Sequence, residues 1–246
     1  MAEKFKNPPL IEALCEFRFK ENKSWDWTVP GTFYEKIKET FPNKEQKKAF
    51  EIVLESKDGK IIPAKTTDNE KKDKIVFLNE KKNAVIQVGP NTLSINYISD
   101  YSGWEAFKSK IDKYLKIYLD VSGSEIERIG LRYINRFDGI DVKGGKFGDY
   151  FNFGPSIPIK QPIKNFFIRN EMVYQEIDSI LLLNMGTPPE KQNNVIVLDF
   201  DFITANEDNI KNVTEWVESA HEYIEEAFNA CITEKTRRVM RGEETL

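Results

Sequence analysis

The sequence predicts an α+β fold in which duplicated strand-helix-strands-helix halves form one mostly antiparallel, curved sheet with two long helices on one face. Three observations predict it. Period-two hydrophobicity opens each half, at residues 10–20 and 125–137. A 3.6-period apolar stripe closes each half, at residues 104–118 and 213–231, and the order of elements in between repeats. Residues 1–246 read as a single domain with pseudo-repeat halves over 8–123 and 125–233.

The first strand follows the rigid Pro8-Pro9 pair. Ile11, Ala13, Cys15, Phe17 and Phe19 fall on one side, and Glu12, Leu14, Glu16, Arg18 and Lys20 on the other. Phe33, Ile37 and Phe41 recur every four residues between Pro30-Gly31 and Pro42, which predicts a short amphipathic helix. Strands are expected at 49–55, 74–79, 84–88 and 92–98, the last two joined at Gly89-Pro90-Asn91. The charged stretch 57–73 reads as an exposed hairpin excursion. Trp104, Phe107, Ile111, Tyr114, Leu115 and Tyr118 then line one face of a long helix ending near Ser122-Gly123.

The second half opens with Ile129, Leu131, Tyr133 and Phe137 pointing one way and Arg128, Gly130, Arg132, Ile134 and Arg136 the other. A Gly/Pro-rich segment, 138–164, carries one short aromatic run at 147–153. Strands follow at 166–176, 178–185 and 194–204. A helix with Val213, Trp216, Val217, Ala220, Ile224, Ala227 and Cys231 on one face comes next, before a polar tail. Local echoes support the duplication: Glu16-Phe17-Arg18-Phe19 against Ile134-Asn135-Arg136-Phe137, and Gly31-Thr32-Phe33-Tyr34 against Gly145-Lys146-Phe147-Gly148. The two opening strands are then neighbours at a pseudo-dyad, and the sheet face opposite the helices is left open to a partner.

Composition narrows the function classes. A hydrophobic fraction of 40% and an aromatic fraction of 12% supply a core, which excludes disorder throughout. With 36 basic and 40 acidic side chains, the net charge of -4 gives no global basic field to collect nucleic acid. Cys15 and Cys231 are the only cysteines and read as small apolar side chains in a reducing compartment. His221 is the only histidine, so a His-based metal site or a Ser-His-Asp triad has little to draw on. Residues 1–9 lack an apolar signal-peptide core, and no run approaches the roughly 18 apolar residues of a membrane span. The expected location is the cytoplasm.

Three landmarks in order carry a resemblance. They are Asn7-Pro8-Pro9-Leu10-Ile11-Glu12-Ala13-Leu14-Cys15-Glu16-Phe17-Arg18-Phe19, Arg128-Ile129-Gly130-Leu131-Arg132-Tyr133-Ile134-Asn135-Arg136, and Phe228-Asn229-Ala230-Cys231-Ile232-Thr233. Together they resemble an uncharacterised, sporadically distributed prokaryotic family that opens on Pro-[ILV]-x-Glu-Ala-x-x-Glu-[FI]-Arg-Phe. The resemblance implies no activity. Its patchy distribution implies an accessory gene of the kind found at toxin-antitoxin or phage-defence loci.

Two constellations are candidate sites. If the opening strands pair, Glu12, Glu16, Arg18, Arg128, Arg132 and Arg136 share one face. Opposite charges across a ladder contribute roughly 0.2 to 1 kcal/mol each. An excess of guanidinium groups there would also grip a phosphate, a carboxylate or an acidic loop. Arg18, Arg132, Arg136 and Glu16 are therefore the expected ligand-binding residues. Asp199 and Asp201, two apart in a strand, project together as a divalent metal would require, with Glu171 or Glu176 as further acids. His221 lies beside the apolar stripe of the last helix and reads as a boundary residue, and Arg237, Arg238 and Arg241 suit a helix C-terminus. Nucleophile-elbow, metalloprotease, Cys-x-x-Cys and phosphate-loop patterns are absent. The expectation is a non-enzymatic binding or interaction protein without a cofactor, whose partner is a protein. An anionic small molecule or nucleic acid is the other occupant considered. The alternatives are a metal-dependent hydrolase or nuclease using Asp199 and Asp201, and a nucleic-acid-binding saddle. The oligomeric state is left open.

Overall fold

The computed structural model describes residues 5–48, 53–57, 60–64, 73–98, 101–140, 147–155, 161, 163–188 and 194–244. Alternation makes β1 (Leu10–Phe19) a strand with one side in the core: Ala13, Cys15, Phe17 and Phe19 are buried, and the residues between them are not. After it come α1 (Thr28–Ile37), β2 (Asn43–Lys48), a β3–β4 hairpin (Val53–Lys57 and Lys60–Ala64), β5 (Asp73–Leu78), β6 (Ala84–Gly89) and β7 (Thr92–Tyr97). The half closes with α2 (Trp104–Ser122), stopped by Gly123, whose φ of 58° is the left-handed turn a helix C-terminus favours. The second half contains β8 (Ile126–Asp138), α3 (Phe147–Tyr150), β9 (Phe167–Tyr174), β10 (Ser179–Gly186) and β11 (Val195–Thr204). It ends with α4 (Glu207–Lys211), α5 (Val213–Cys231) and α6 (Glu234–Arg241).

Nine of the described strands form one open antiparallel sheet in the order β2-β5-β6-β7-β1-β8-β11-β10-β9. Read outward from the centre, β1-β7-β6-β5 on one side matches β8-β11-β10-β9 on the other. Every adjacent pair is antiparallel, and β1 meets β8 with Cys15 opposite Leu131 and Phe17 opposite Ile129. The expected central pairing of the two opening strands is therefore present.

Both long helices belong to the same apolar cluster as the inward side of these strands. α2 contributes Phe107, Ile111, Tyr114, Leu115 and Tyr118, and α5 contributes Trp216, Val217, Ala220 and Ile224. Trp104 meets Glu218 while Asp112 meets Thr214, so the helices run antiparallel to each other. Tyr118 packs on Phe19 with ring centroids 5.0 Å apart, and Tyr223 stacks on Phe202 at 5.7 Å.

Some elements differ from expectation. β2 occupies 43–48, a polar run with no alternation, and pairs along its length with β5. Of the strand expected at 49–55, residues 53–55 lie in β3, and 49–52 fall outside the described residues. The excursion at 57–73 includes β4. α1 ends at Ile37, so Phe41 reaches the core from just beyond the helix. Within the Gly/Pro-rich segment, Phe147 and Phe151 are buried and Phe151 bridges to Ile232, whereas Gly144-Gly145 and Pro158 lie outside the described residues. The tail is no tail. Thr233 caps α6 by accepting from the Thr236 N–H, Thr236 and Met240 are buried, and Arg237 donates to the Asn229 carbonyl at 2.7 Å. Among the described residues no helix is long and apolar enough to cross a membrane.

Phe17 is fully buried at the centre of this core, whereas Ile11 on the same strand is 41% exposed. Phe17→Ala is expected to lower stability by about 3–5 kcal/mol. Ile11→Ala is expected to change it by about 0.5 kcal/mol or less, both measured by urea denaturation.

Candidate functional site

The face turned away from the helices is organised in rows by the strand registers. One row runs Glu171, Leu182, Asp201, Arg132, Leu14, Asn96 across β9, β10, β11, β8, β1 and β7. The next, offset by two residues, runs Arg169, Asn184, Asp199, Ile134, Glu12. Arg18, Glu16, Arg128 and Arg132 lie around the β1–β8 seam on this face, and Arg136 lies further along β8, opposite Val197. The expected residues thus share one face but are spread along it, since Arg136 stands eight residues along β8 from Arg128, the position opposite Arg18, roughly 26 Å at about 3.3 Å per residue.

Its electrostatics are those of paired charges. Arg18 and Arg128 stand directly opposite each other, a like-charge arrangement that is unfavourable by itself. Glu16 sits between them, accepting from Arg18 Nε at 2.9 Å and lying 3.9 Å from Arg128. Gly130 faces Glu16 across the ladder, so no side chain there competes with the acid for the guanidinium groups. Arg136 donates to Asp138, two residues along its own strand, at 2.8–3.1 Å. Arg132 makes a two-pronged contact to Asp199, Nε to Oδ1 at 2.7 Å and Nη2 to Oδ2 at 2.8 Å. Each arginine of the seam therefore has a carboxylate. Sequence spacing gave no sign of the Arg132–Asp199 pair, because it depends on the β8–β11 register.

Arg132 commits its fork to the diagonal neighbour and not to Asp201, which stands directly opposite it. Gly130 makes room for the Asp201 side chain, since a Cβ there would lie 3.4 Å from Asp201 Oδ1 and 3.3 Å from Ile203. Burial pushes the Asp201 carboxyl up from 3.8 to about 6, against the attraction of Arg132 and with the added repulsion of Asp199. Beside it, Asn184 donates to Asp199 Oδ2 at 3.2 Å, while its own Oδ1 is buried without a partner. The Thr92 hydroxyl, opposite Arg18 on β7, is likewise buried without a partner.

The metal reading finds its two carboxylates on one face, as expected. Asp199, however, is held by Arg132 and Asn184, Glu171 is held by Arg169, and no group of three or more metal-ligating acids, histidines or cysteines occurs among the described residues. Among the described residues, the interleaving of acids with the arginines also gives this face no run of unopposed positive charge of the kind a phosphate backbone would track.

His221 belongs to a second cluster, on the helix side. It stacks on Trp104 at 4.0 Å, and its Nδ1 lies 3.2 Å from the Tyr133 hydroxyl, which in turn lies 3.3 Å from that of Tyr101. Trp104 donates to Glu218, which also pairs with Lys108. Burial lowers His221 from 6.5 to about 4, opposed by Glu218, and raises Tyr101 to about 12. The ring is a neutral clasp between α2, α5 and β8.

Compared with known proteins, the chain matches no family model and no curated protein sequence.

The two buried groups titrate with opposite effects on stability. Asp201 has a raised folded pKa, so the native state holds its proton longer and stability falls as pH rises from about 4 to about 6. His221 has a depressed folded pKa, so stability falls as pH drops from about 6.5 to about 4. Asp201→Asn is expected to raise the thermal midpoint at pH 7.5 and leave it unchanged at pH 3. His221→Phe is expected to flatten the acid limb between pH 6.5 and 4. Thermal melts across this range read both.

Proposed function

We propose that the chain is a non-catalytic binding protein of the cytoplasm, and that the open face at the β1–β8–β11 seam holds a protein partner. The reading rests on the acceptors gathered at that seam. Asn184 Oδ1 is buried without a partner, and burial raises the pKa of the half-buried Asp201 carboxyl nearby. An unpaired buried acceptor costs about 1–3 kcal/mol, which a bound donor would return. The group that fits is a hydrogen-bond donor, a lysine or arginine side chain of the partner. The arginines Arg18, Arg132 and Arg136, each already neutralised, frame the site and set its register. They do not themselves recognise an anion.

The resemblance to a sporadically distributed prokaryotic family supports placing the chain as an accessory component of a toxin-antitoxin or phage-defence locus, with the partner made by a neighbouring gene. Capture of interacting proteins from cells that make the chain tests the site. Asp201→Lys places a cation where the partner's donor would sit and is expected to abolish capture of a partner that wild type retains. Lys116→Glu, an exposed change on α2, is expected to retain it. Equal capture by wild type and Asp201→Lys would sink the assignment. Capture that Asp201→Lys strengthens and that falls steeply with salt would favour a nucleic-acid-linked partner instead.

A further inference from the structure

The two edges of the sheet are built differently. β2 reads Asn-Lys-Glu-Gln-Lys-Lys, the lysine-rich composition that discourages an edge from pairing with another strand. β9 reads Phe-Ile-Arg-Asn-Glu-Met-Val-Tyr and has no lysine and no proline. Its Phe167 and Val173 are 68% and 67% exposed, the most exposed large apolar side chains among the described residues. In the matching of the halves, β9 corresponds to β5, yet β5 is covered by β2, and among the described residues no strand lies beyond β9.

The order of side chains on β9 is self-complementary. Turned antiparallel on a second copy about Asn170, the strand sets Arg169 opposite the partner's Glu171, Phe167 opposite the partner's Val173, and Ile168 opposite the partner's Met172. Charges then meet opposite charges and apolar groups meet apolar groups on both faces. Arg169 and Glu171 already pair within one chain at 2.9 Å, so two copies would join these into a ring of four alternating charges.

The backbone agrees in phase. The Thr187 N–H donates to the Phe166 carbonyl at 3.1 Å, which makes 166 and 187 a hydrogen-bonded pair of the β9–β10 ladder. By alternation, even-numbered residues of β9 turn their N–H and C=O groups toward β10, and Phe167, Arg169, Glu171 and Val173 turn theirs outward. A dyad through Asn170 pairs outward residues only with outward residues, so each N–H meets a carbonyl. A register shifted by one residue would not satisfy this. We infer that β9 is a homodimerisation edge, on which a second copy of this chain extends the sheet across a two-fold axis at Asn170.

Sedimentation equilibrium of the full chain is expected to show a concentration-dependent species of twice 28.6 kDa. Glu171→Pro removes an outward N–H without touching the β10 ladder, so a folded monomer is expected. Arg169→Glu sets like charges opposite each other and is expected to give a monomer, and Arg169→Glu combined with Glu171→Arg is expected to restore the dimer. Asn170→Cys, at a non-hydrogen-bonded pair on the dyad with Cα atoms about 4.5 Å apart, is expected to form a covalent dimer on oxidation. Cys15 and Cys231 are buried and leave this reaction to the new thiol. A wild type that stays monomeric at about 100 μM, weaker than the interactions of stable interfaces, overturns the proposal. So does a dimer that survives Glu171→Pro, or one that Asn170→Cys fails to cross-link. These readouts are independent of the seam around Asp201.

Discussion

β1 and β8 are more than a hundred residues apart in sequence and lie side by side at the centre of the sheet, and their register decides which chemistry faces the core. Side chains alternate along each strand. A slip of one residue between them would carry Cys15, Phe17 and Phe19 to the open face and bring Glu16 and Arg18 under the helices. Burying those charges without partners would cost far more than the ladder contributes, so the hydrophobic pattern locks the register. The irregularities in this pairing fall at its ends, between Leu10 and Glu12 and between Arg18 and Phe19, and leave the central pairs in step. Because the contact is so distant in sequence, the docking of the four-stranded second half on the five-stranded first is a step of folding with a large entropic demand.

The same constraint explains why the open face carries ion pairs that no short sequence motif encodes. Once β8 is fixed between β1 and β11, Arg128 must face Arg18 and Arg132 must face Asp201. The like-charge contact is relieved by Glu16 and the second arginine turns diagonally to Asp199. Asp201 is thereby left opposite a guanidinium that has turned its Nε–Nη2 edge to Asp199. Its raised pKa is a by-product of this division, since burial acts on it while the compensating charge is spent on its neighbour.

Much of this was legible in the sequence, for physical reasons that also mark where legibility stops. Strands and helices with one buried face announce themselves by period, and β1, β8, α2 and α5 all do. β2 has no apolar face to betray it, and its strand state comes from pairing with β5. α6 buries only Thr236 and Met240, too few positions for a stripe, although Thr233 at its cap was a readable start signal. That Asp199 and Asp201 share a face followed from spacing alone. That Asp199 belongs to Arg132 required knowing that β11 lies beside β8, and that His221 stacks on Trp104 required the packing of α2 on α5.

The matched topology of the halves does not extend to their chemistry. Taking the echo of Arg18-Phe19 in Arg136-Phe137 as the alignment, the strand registers carry Leu14 onto Arg132, Ser94 onto Asp199, Asn96 onto Asp201 and Gln87 onto Asn184. In the first half these positions are neutral, and two of them bond locally: the Ser94 hydroxyl donates to Asn96 at 2.6 Å, and Asn96 donates to Glu12 at 2.6 Å. In the second half the same places hold an ion pair, a desolvated acid and an amide with a vacant acceptor. Moving outward, Val76 and Leu78, buried beside β2, become Arg169 and Glu171 on an exposed edge. One half has its outer strand β5 covered by β2. The other keeps its hydrogen-bonding capacity and its edge available, and it is there that contacts with other molecules are to be sought.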